Sequence, residues 1–488
     1  MDDEPDTNKL FQQLSDLRNQ VASEASNRQA ERSEAGGDPV APEVENMFAY
    51  LAFRRHDLRS MQRELMSLGL SSLGRLESRV LPALDATIAS LAAIAHVDPP
   101  FRRPSIADFF RGEKALTKAT DSLLGPARKQ RHGRIMVTLP TEAGDDPHFV
   151  LDLVKRGLDL VRINCAHDDD HVWASMVEHT RWAGQQVNRH IPVLMDIAGP
   201  KIRTAKVGCD RKAAAGDLIR LLAEGEPYQN DAVPFSIVVS PPEIVSRLRP
   251  GDRVRYNDGK LEGKIDSCSN GEAILRVTRT KTDGSKLKPE KGLNFPDTDL
   301  GLSPLTDKDR SDLRIVSSIA DMIGYSFIAR PDDIDLLEAE LAECPSRKTP
   351  LGLIAKVEQP EAVQNLPSLI TRASMIRRPF GVMIARGDLA AEIGFERLAE
   401  MQEELLWISE AASVPTIWAT QVLEDLVKSG LPSRGEMTDA AMAARAECVM
   451  LNKGPAVGEA VELLDGLLAR MDNHINKKTP VLRPLKSW

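Results

Sequence analysis

Leu351-Gly352-Leu353-Ile354-Ala355-Lys356-Val357-Glu358 is the stretch on which the fold turns. Its first five residues are apolar or small, without a polar interruption. Such a run suits a strand buried on both faces, as in a parallel sheet covered by helices. The charges come only at its end, two residues apart, so on a strand they project the same way. Glu361–Arg372, just beyond, has helical length and amphipathic spacing. Seven further runs of the same kind are Arg134–Thr138, Leu158–Asn164, Pro192–Asp196, Met322–Ile328, Gly381–Arg386, Pro415–Thr420 and Cys448–Asn452. Helix-like segments follow most of them, for example Arg397–Ala412 and Val457–Met471. Eight strand-then-helix repeats fit an α/β fold of the (β/α)8 TIM-barrel type. A doubly wound open sheet is the competitor, and periodicity alone leaves it open.

The rhythm breaks between Asp196 and Met322. There Asp217–Leu222, Ser236–Val239, Asp252–Tyr256 and Glu272–Thr278 read as short strands, with a turn at Asn257-Asp258-Gly259. This predicts a small β-barrel lid domain over 205–291, inserted into a barrel made of 129–204 and 292–488. Ahead of the barrel, Leu58, Met61, Leu65 and Leu68, then Leu81, Leu84 and Ile88, recur at helical spacing. An extra helical N-terminal region over 46–128 is expected. Residues 1–45 are polar and predict a flexible or partly helical tail, with Leu10, Leu14, Leu17 and Val21 as the helical trace.

The chain has 488 residues, and its 63 Lys+Arg against 72 Asp+Glu leave a net charge of −9. That balance disfavours nucleic-acid or anionic-membrane partners, which select for clustered positive charge. No apolar run nears the ~18 residues of a membrane span. The Met1-Asp2-Asp3-Glu4 start lacks a secretory signature. Five scattered cysteines without a C-x-x-C pair disfavour a disulfide framework or a zinc site. A cytoplasmic, multidomain protein is expected.

In a (β/α)8 barrel the chemistry sits at the carboxyl ends of the strands. Those ends here are Arg162-Ile163-Asn164-Cys165-Ala166-His167, Asp196 with Lys201 and Arg203 beyond it, Lys356 and Glu358, Arg386-Gly387-Asp388, and Thr420-Gln421. A lone K-x-E is a weak motif, and a surface ion pair worth at most ~1 kcal/mol is its plain alternative. Its place at the end of an apolar strand disfavours that alternative. Glu358 and Asp388 fall on neighbouring strand ends, and such a pair suits a hard divalent ion that keeps several waters beside phosphate. Neutralisation of each by a nearby Arg is the competing reading. Arg162 and Arg203 offer forked donors for phosphoryl or carboxylate groups, with inter-strand ion pairing as the alternative. Neither a Walker A motif nor a G-x-G-x-x-G fingerprint is present.

Arg162–His167, Asp196–Thr204, Lys291–Pro296, Lys356–Glu358, Ala385–Glu392, Ala419–Glu424 and Pro432–Asp439 resemble, in order and spacing, the signature segments of the pyruvate kinase family. The resemblance runs from Arg134 to about Met471. It implies a (β/α)8 barrel with a β lid, and phosphoryl transfer from phosphoenolpyruvate to ADP, giving pyruvate and ATP. It implies Lys356 at the transferring phosphoryl group and the enolate, and Glu358 and Asp388 as ligands of Mg2+ (or Mn2+). Thr420 would sit near the face where the enolate is protonated. Arg162, Arg203, Ser326, Gly387 and Asp388 would lie on the substrate side. Asn164, His167, Asp258 and Lys291 would lie on the nucleotide side.

Departures from the pattern carry their own expectations. Members of the family usually hold K+ with Asn, Ser, Asp and Thr. Asn164 and Asp196 are retained here, but Ala166 and Ile197 stand at the other two places. Lys201 stands where potassium-dependent members have Glu, and with Asp196 it is expected to replace the ion, so that K+ is not required. Leu139-Pro140-Thr141-Glu142 and Asn452-Lys453-Gly454-Pro455 differ from the family's loops after strands one and eight. The usual C-terminal regulatory domain is expected to be absent, and a homodimer through barrel helices is conceivable. Two other readings stay open: a Mg-dependent lyase or aldolase acting on a pyruvate enolate, and a non-catalytic regulatory or assembly protein on such a barrel.

Overall fold

The computed structural model describes residues 5–34, 40–209, 211–257, 259–345, 349–477 and 479–480. Eight strands close into a parallel barrel: Arg134–Thr138, Leu160–Asn164, Val193–Ile197, Met322–Tyr325, Gly352–Val357, Phe380–Ala385, Thr416–Ala419 and Cys448–Leu451. Each pairs with its neighbours in sequence, and the first pairs with the eighth. All eight apolar runs therefore become barrel strands, and the open sheet is excluded.

The two-residue period of the strands sorts their side chains. Met136, Leu160, Leu194, Met322, Ile354, Met383, Ile417 and Met450 form one core inside the barrel. Their neighbours in sequence, such as Ile135, Val161, Leu353 and Val382, pack outward in the core shared with the helices. Lys356 follows Ile354 by two and so points into the barrel, one level nearer the carboxyl mouth. The opposite mouth is plugged by Leu123, at the end of the Arg111–Leu124 helix. Its methyls come so close to strands five and six that a Cβ on Gly352 or Gly381 would lie 2.5 or 2.9 Å from them. Glycine is required at both places by this close approach.

The lid is a seven-stranded sheet with its own core, including Ile219, Leu221, Phe235 and Leu275. The strand order is Leu293–Asn294, Arg253–Tyr256, Leu261–Ser269, Glu272–Thr280, Leu218–Leu222, Phe235–Ser240 and Arg203–Gly208. Its two edges meet through an Arg203–Gly292 bridge and the Leu293 N–H to Ile202 carbonyl bond at 3.0 Å. The sheet thus reaches beyond the expected 205–291 at both ends. Three of its strands were not foreseen. Leu261–Ser269 alternates properly at first (Leu261, Gly263 and Ile265 inward), but its polar second half hides the pattern.

The N-terminal region is more ordered than its composition predicts. Thr7–Glu34 is one helix, with Leu10, Leu14, Leu17 and Val21 buried at three- and four-residue spacing. It packs on the Pro42–Phe53 and Val80–Ala95 helices. Apolar burial along that stripe offsets the ordering entropy that a polar composition otherwise leaves uncompensated. Pro42–Phe53 in turn lies against the barrel helices Pro360–Met375 and Phe395–Ala411. Asn46 fixes that contact: its amide donates to the Ala411 carbonyl at 2.8 Å and the Glu77 carbonyl at 2.7 Å, and accepts from Val80 N–H at 2.9 Å. Among the described residues no helix is long and apolar enough to cross a membrane, and none of the five cysteines is in a disulfide.

Candidate active site

Strand five delivers Lys356 and Glu358 to the carboxyl mouth of the barrel, as the K-x-E spacing requires. Lys356 Nζ donates to Ser326 Oγ at 2.6 Å and lies 2.8 Å from Glu358 Oε1 and 3.3 Å from Asp196 Oδ1. Ser326 Oγ donates onward to the Ile197 carbonyl at 2.8 Å. Strand three is adjacent to strand four, and Gly324 leaves the space that Asp196 fills, since a Cβ there would sit 2.9 Å from Asp196 Oδ1. Burial opposes the charge on Lys356, but Asp196 and Glu358 outweigh it and raise the amine's pKa. Burial likewise works against an ionised Asp196, yet Lys356 and Arg162 hold it below the usual carboxylate range. Glu358 is pushed the other way, upward, first by its burial and then by the charge of Asp388. Its Oε2 accepts the Phe327 N–H at 2.8 Å, which orients the carboxylate.

Arg162 is committed inside the protein. Its Nε and one terminal nitrogen donate to Asp196 Oδ2 at 2.8 and 2.5 Å, and the other donates to Thr138 Oγ1 at 2.9 Å. The inter-strand ion pair weighed in the sequence describes this arrangement better than a free fork does. Lys201 departs from expectation too. Its amine lies 3.3 Å from Asp388 Oδ1, while Asp196 takes its positive charge from Arg162 and Lys356. The linker that carries Lys201 leaves strand three through Gly199, at φ +67, where a Cβ would press within 2.7 Å of the Phe327 ring.

Asp388 stands in the first turn of the Arg386–Ile393 helix, which begins directly after strand six. Gly387 N–H donates to Thr420 Oγ1 at 2.7 Å. Thr420 has φ +64, unusual for a β-branched residue, and Gln421 follows at φ +57. Arg386 braces this loop by donating to the Ala419 and Thr420 carbonyls at 3.1 and 2.6 Å, while pairing with Asp439 and lying 4.7 Å over the Trp418 ring. Strained loops held this way cluster at sites where a side chain must be aimed.

Arg203 and Lys291 line a cleft of ≈ 1060 Å³ between lid and barrel, together with Lys201, Asp388 and Glu392. Arg203 lies 3.7 Å from Glu290. Asn164 Oδ1 accepts from Ala166 N–H at 3.2 Å, and the His167 carbonyl accepts from Trp173 Nε1 at 2.9 Å. His167 is exposed as a residue, and its pKa is lowered, first by the desolvation of its ring and then by the charges of Lys453 and Arg203. Asp258 lies outside the described residues. The structure thus joins Lys356, Ser326, Asp196, Arg162 and Glu358 in one network and sets Asp388 with Lys201 beside it.

Sequence reasoning missed how the lid is anchored. Asn294 Nδ2 donates to Glu392 Oε1 at 2.8 Å, and Arg255 donates to the Ala391 and Ala390 carbonyls at 2.6 and 3.2 Å. Both contacts end on the Arg386–Ile393 helix. Asn294 and Glu392 fall inside two of the quoted segments, so the positions were visible although their partnership was not.

Among the described residues no cluster of three or more His, Cys, Asp or Glu forms a metal cage. The donor set of Glu358 and Asp388 still fits a hard divalent ion that completes its shell with water and substrate oxygens. Burial that disfavours ionised Glu358, with a second carboxylate charge nearby, marks a place where added positive charge is favourable.

This geometry coincides with a match of residues 130–461 to the family described as "Pyruvate kinase, barrel domain". The chain belongs to the pyruvate kinase family. A pyruvate kinase of Methylorubrum extorquens is 30% identical over 354 residues, covering 72% of this chain and 70% of that protein. One of Corynebacterium efficiens is 31% identical over 335 residues, covering 68% and 67%. Among solved structures, a pyruvate kinase from Cryptosporidium parvum superimposes with a TM-score of 0.62 at 25% identity, covering 73% of each chain. The protein is a phosphotransferase of this family, and the closed barrel with its second sheet is the family's architecture.

Proposed function

We propose that this protein transfers the phosphoryl group of phosphoenolpyruvate to ADP, giving pyruvate and ATP, with Mg2+ or Mn2+ held by Glu358 and Asp388 and without a need for K+. The observation that carries this reading is the Lys356 amine at the barrel mouth, 2.8 Å from Glu358 and hydrogen-bonded to Ser326. Phosphoryl transfer asks for positioning and fixed positive charge rather than covalent help. Lys356 is kept protonated by its carboxylate neighbours, so it meets the moving phosphoryl group and the enolate oxygen as a cation. Arg162 acts through Asp196, holding the carboxylate that positions Lys356. Arg203, Lys201 and Lys291 face the anionic groups entering the cleft, while Gly387 and Asp388 lie at its substrate side. Asn164, His167 and Asp258 are assigned to the nucleotide. Thr420, with its hydroxyl fixed by Gly387 N–H, lies at the face where the enolate takes its proton. The divalent ion would neutralise charge on the phosphoryl oxygens.

Independence from K+ is supported by Asp196, whose charge is already met by two internal cations, and by Ala166 and Ile197, which offer no side-chain oxygen. The enzyme is proposed to work in the cytoplasm as a homodimer, which light scattering tests. A coupled assay with phosphoenolpyruvate, ADP and Mg2+ tests the reaction. Pyruvate should form only when ADP is present, at equal rates in KCl and NaCl. Pyruvate formed without nucleotide would overturn the kinase reading, and a steep rise confined to KCl would overturn K+ independence.

A further inference from the structure

Three carboxylates at the mouth, Asp196, Glu358 and Asp388, face three cations, Arg162, Lys356 and Lys201. Taken alone, these six groups carry no net formal charge. The cations differ in how firmly they are held. Arg162 bonds Asp196 and Thr138, and Lys356 bonds Ser326 and touches two carboxylates. Among the described residues Lys201 has one acidic partner, Asp388, at 3.3 Å, and its side chain is 39% exposed. It is the cation best able to leave. It also sits on the linker into the lid, and the lid lands on the helix that bears Asp388 through Asn294 with Glu392 and through Arg255.

We propose that Lys201 is a resident counter-ion on Asp388, which a divalent cation displaces and which the substrate's anionic group then receives. The proposal rests on the reading that Glu358 and Asp388 hold the metal. An ammonium on the same carboxylate competes with a divalent ion, because two cations at one oxygen repel. A bare divalent ion would leave these six groups with excess positive charge. A phosphate or carboxylate entering with it removes that excess and gives the freed amine a partner. Metal and substrate anion should therefore strengthen each other's binding, and Lys201 should carry part of that coupling.

Mn2+ binding to the full chain, read from the free-ion electron paramagnetic resonance signal, tests this without turnover. It is measured for the wild type, Lys201→Met, Lys201→Arg and Glu358→Gln, with and without phosphoenolpyruvate and always without ADP. Without substrate, Lys201→Met should bind Mn2+ about two- to fivefold more tightly than the wild type, the scale of losing a partly exposed ion pair. Lys201→Arg should stay near the wild type, which ties the effect to charge rather than to a change in folding. Phosphoenolpyruvate should tighten Mn2+ binding more in the wild type than in Lys201→Met. Unchanged or weaker Mn2+ binding in Lys201→Met, with binding lost in Glu358→Gln, overturns the counter-ion role and leaves the metal site standing. Wild-type binding in Glu358→Gln removes the metal site itself and the proposal with it.

Discussion

Lys356 Nζ lies 2.8 Å from Glu358 Oε1, two residues further along the same strand. The pair is local in sequence, but its surroundings are not. Ser326 and Asp196 come from other strands to complete the shell around the amine, and Phe327 N–H holds the far oxygen of Glu358. The amine is thereby fixed, charged and directed at the mouth. Lys356→Met should lower turnover by about 10²- to 10³-fold, the scale of removing a main electrostatic group from a preorganised site. Mn2+ should still bind. Steady-state rates and metal titration check this together, and near-normal turnover would take Lys356 out of the chemistry.

Asp196 is almost fully buried and holds two cations. Replacing it with Asn removes the carboxylate that Arg162 and Lys356 share, and leaves Lys356 with Glu358. Breaking a buried pair in this way costs about 3–5 kcal/mol. Urea unfolding of Asp196→Asn should show a loss of that order at neutral pH; a midpoint equal to the wild type would contradict the burial and pairing described.

Glu392 ties the lid to the helix that carries Asp388, and burial pushes its pKa up to about 7 from 4.5 although Asn294 and Arg255 oppose the rise. Between those values the folded protein keeps a proton that the unfolded chain has released. Stability therefore falls as pH climbs through that window and levels off above 7. Glu392→Gln should flatten this dependence and be more stable than the wild type at pH 8 by about 1–3 kcal/mol. Urea midpoints of the metal-free proteins at pH 5 and 8 decide it, and parallel profiles would refute it.

The plug at the closed mouth gives a test of packing. A methyl on Gly352 would meet Leu123 at 2.5 Å and Met322 at 2.8 Å. Gly352→Ala should cost about 1–3 kcal/mol through overpacking. Leu123→Ala alone should cost about 2–5 kcal/mol through its cavity. The double variant should be less damaged than the sum of the two, because one change vacates the space the other needs. Strict additivity in thermal unfolding would deny the contact.

Leu14 is fully buried on the first helix. Leu14→Ala should destabilise the N-terminal region by about 2–5 kcal/mol. Hydrogen exchange should quicken over Thr7–Glu34 well before it does in the barrel strands. Equal quickening throughout would mean that the two regions unfold as one unit.

The eight strands and the charges at their ends were legible in the sequence, because a two-residue period and an uninterrupted apolar run are local properties. The same locality set Lys356 and Glu358 side by side. At the first helix composition and spacing pointed different ways, and the spacing of Leu10, Leu14, Leu17 and Val21 prevailed once a surface was there to receive them. Tertiary structure alone decided that Lys201 meets Asp388, that Arg162 is spent on Asp196, that Leu123 closes the barrel, and that Asn294 and Arg255 set the lid on the Asp388 helix. Each of those contacts joins segments far apart in the chain. Their partners depend on how the linkers, the lid and the helices are oriented against one another, and no short pattern of residues encodes that orientation.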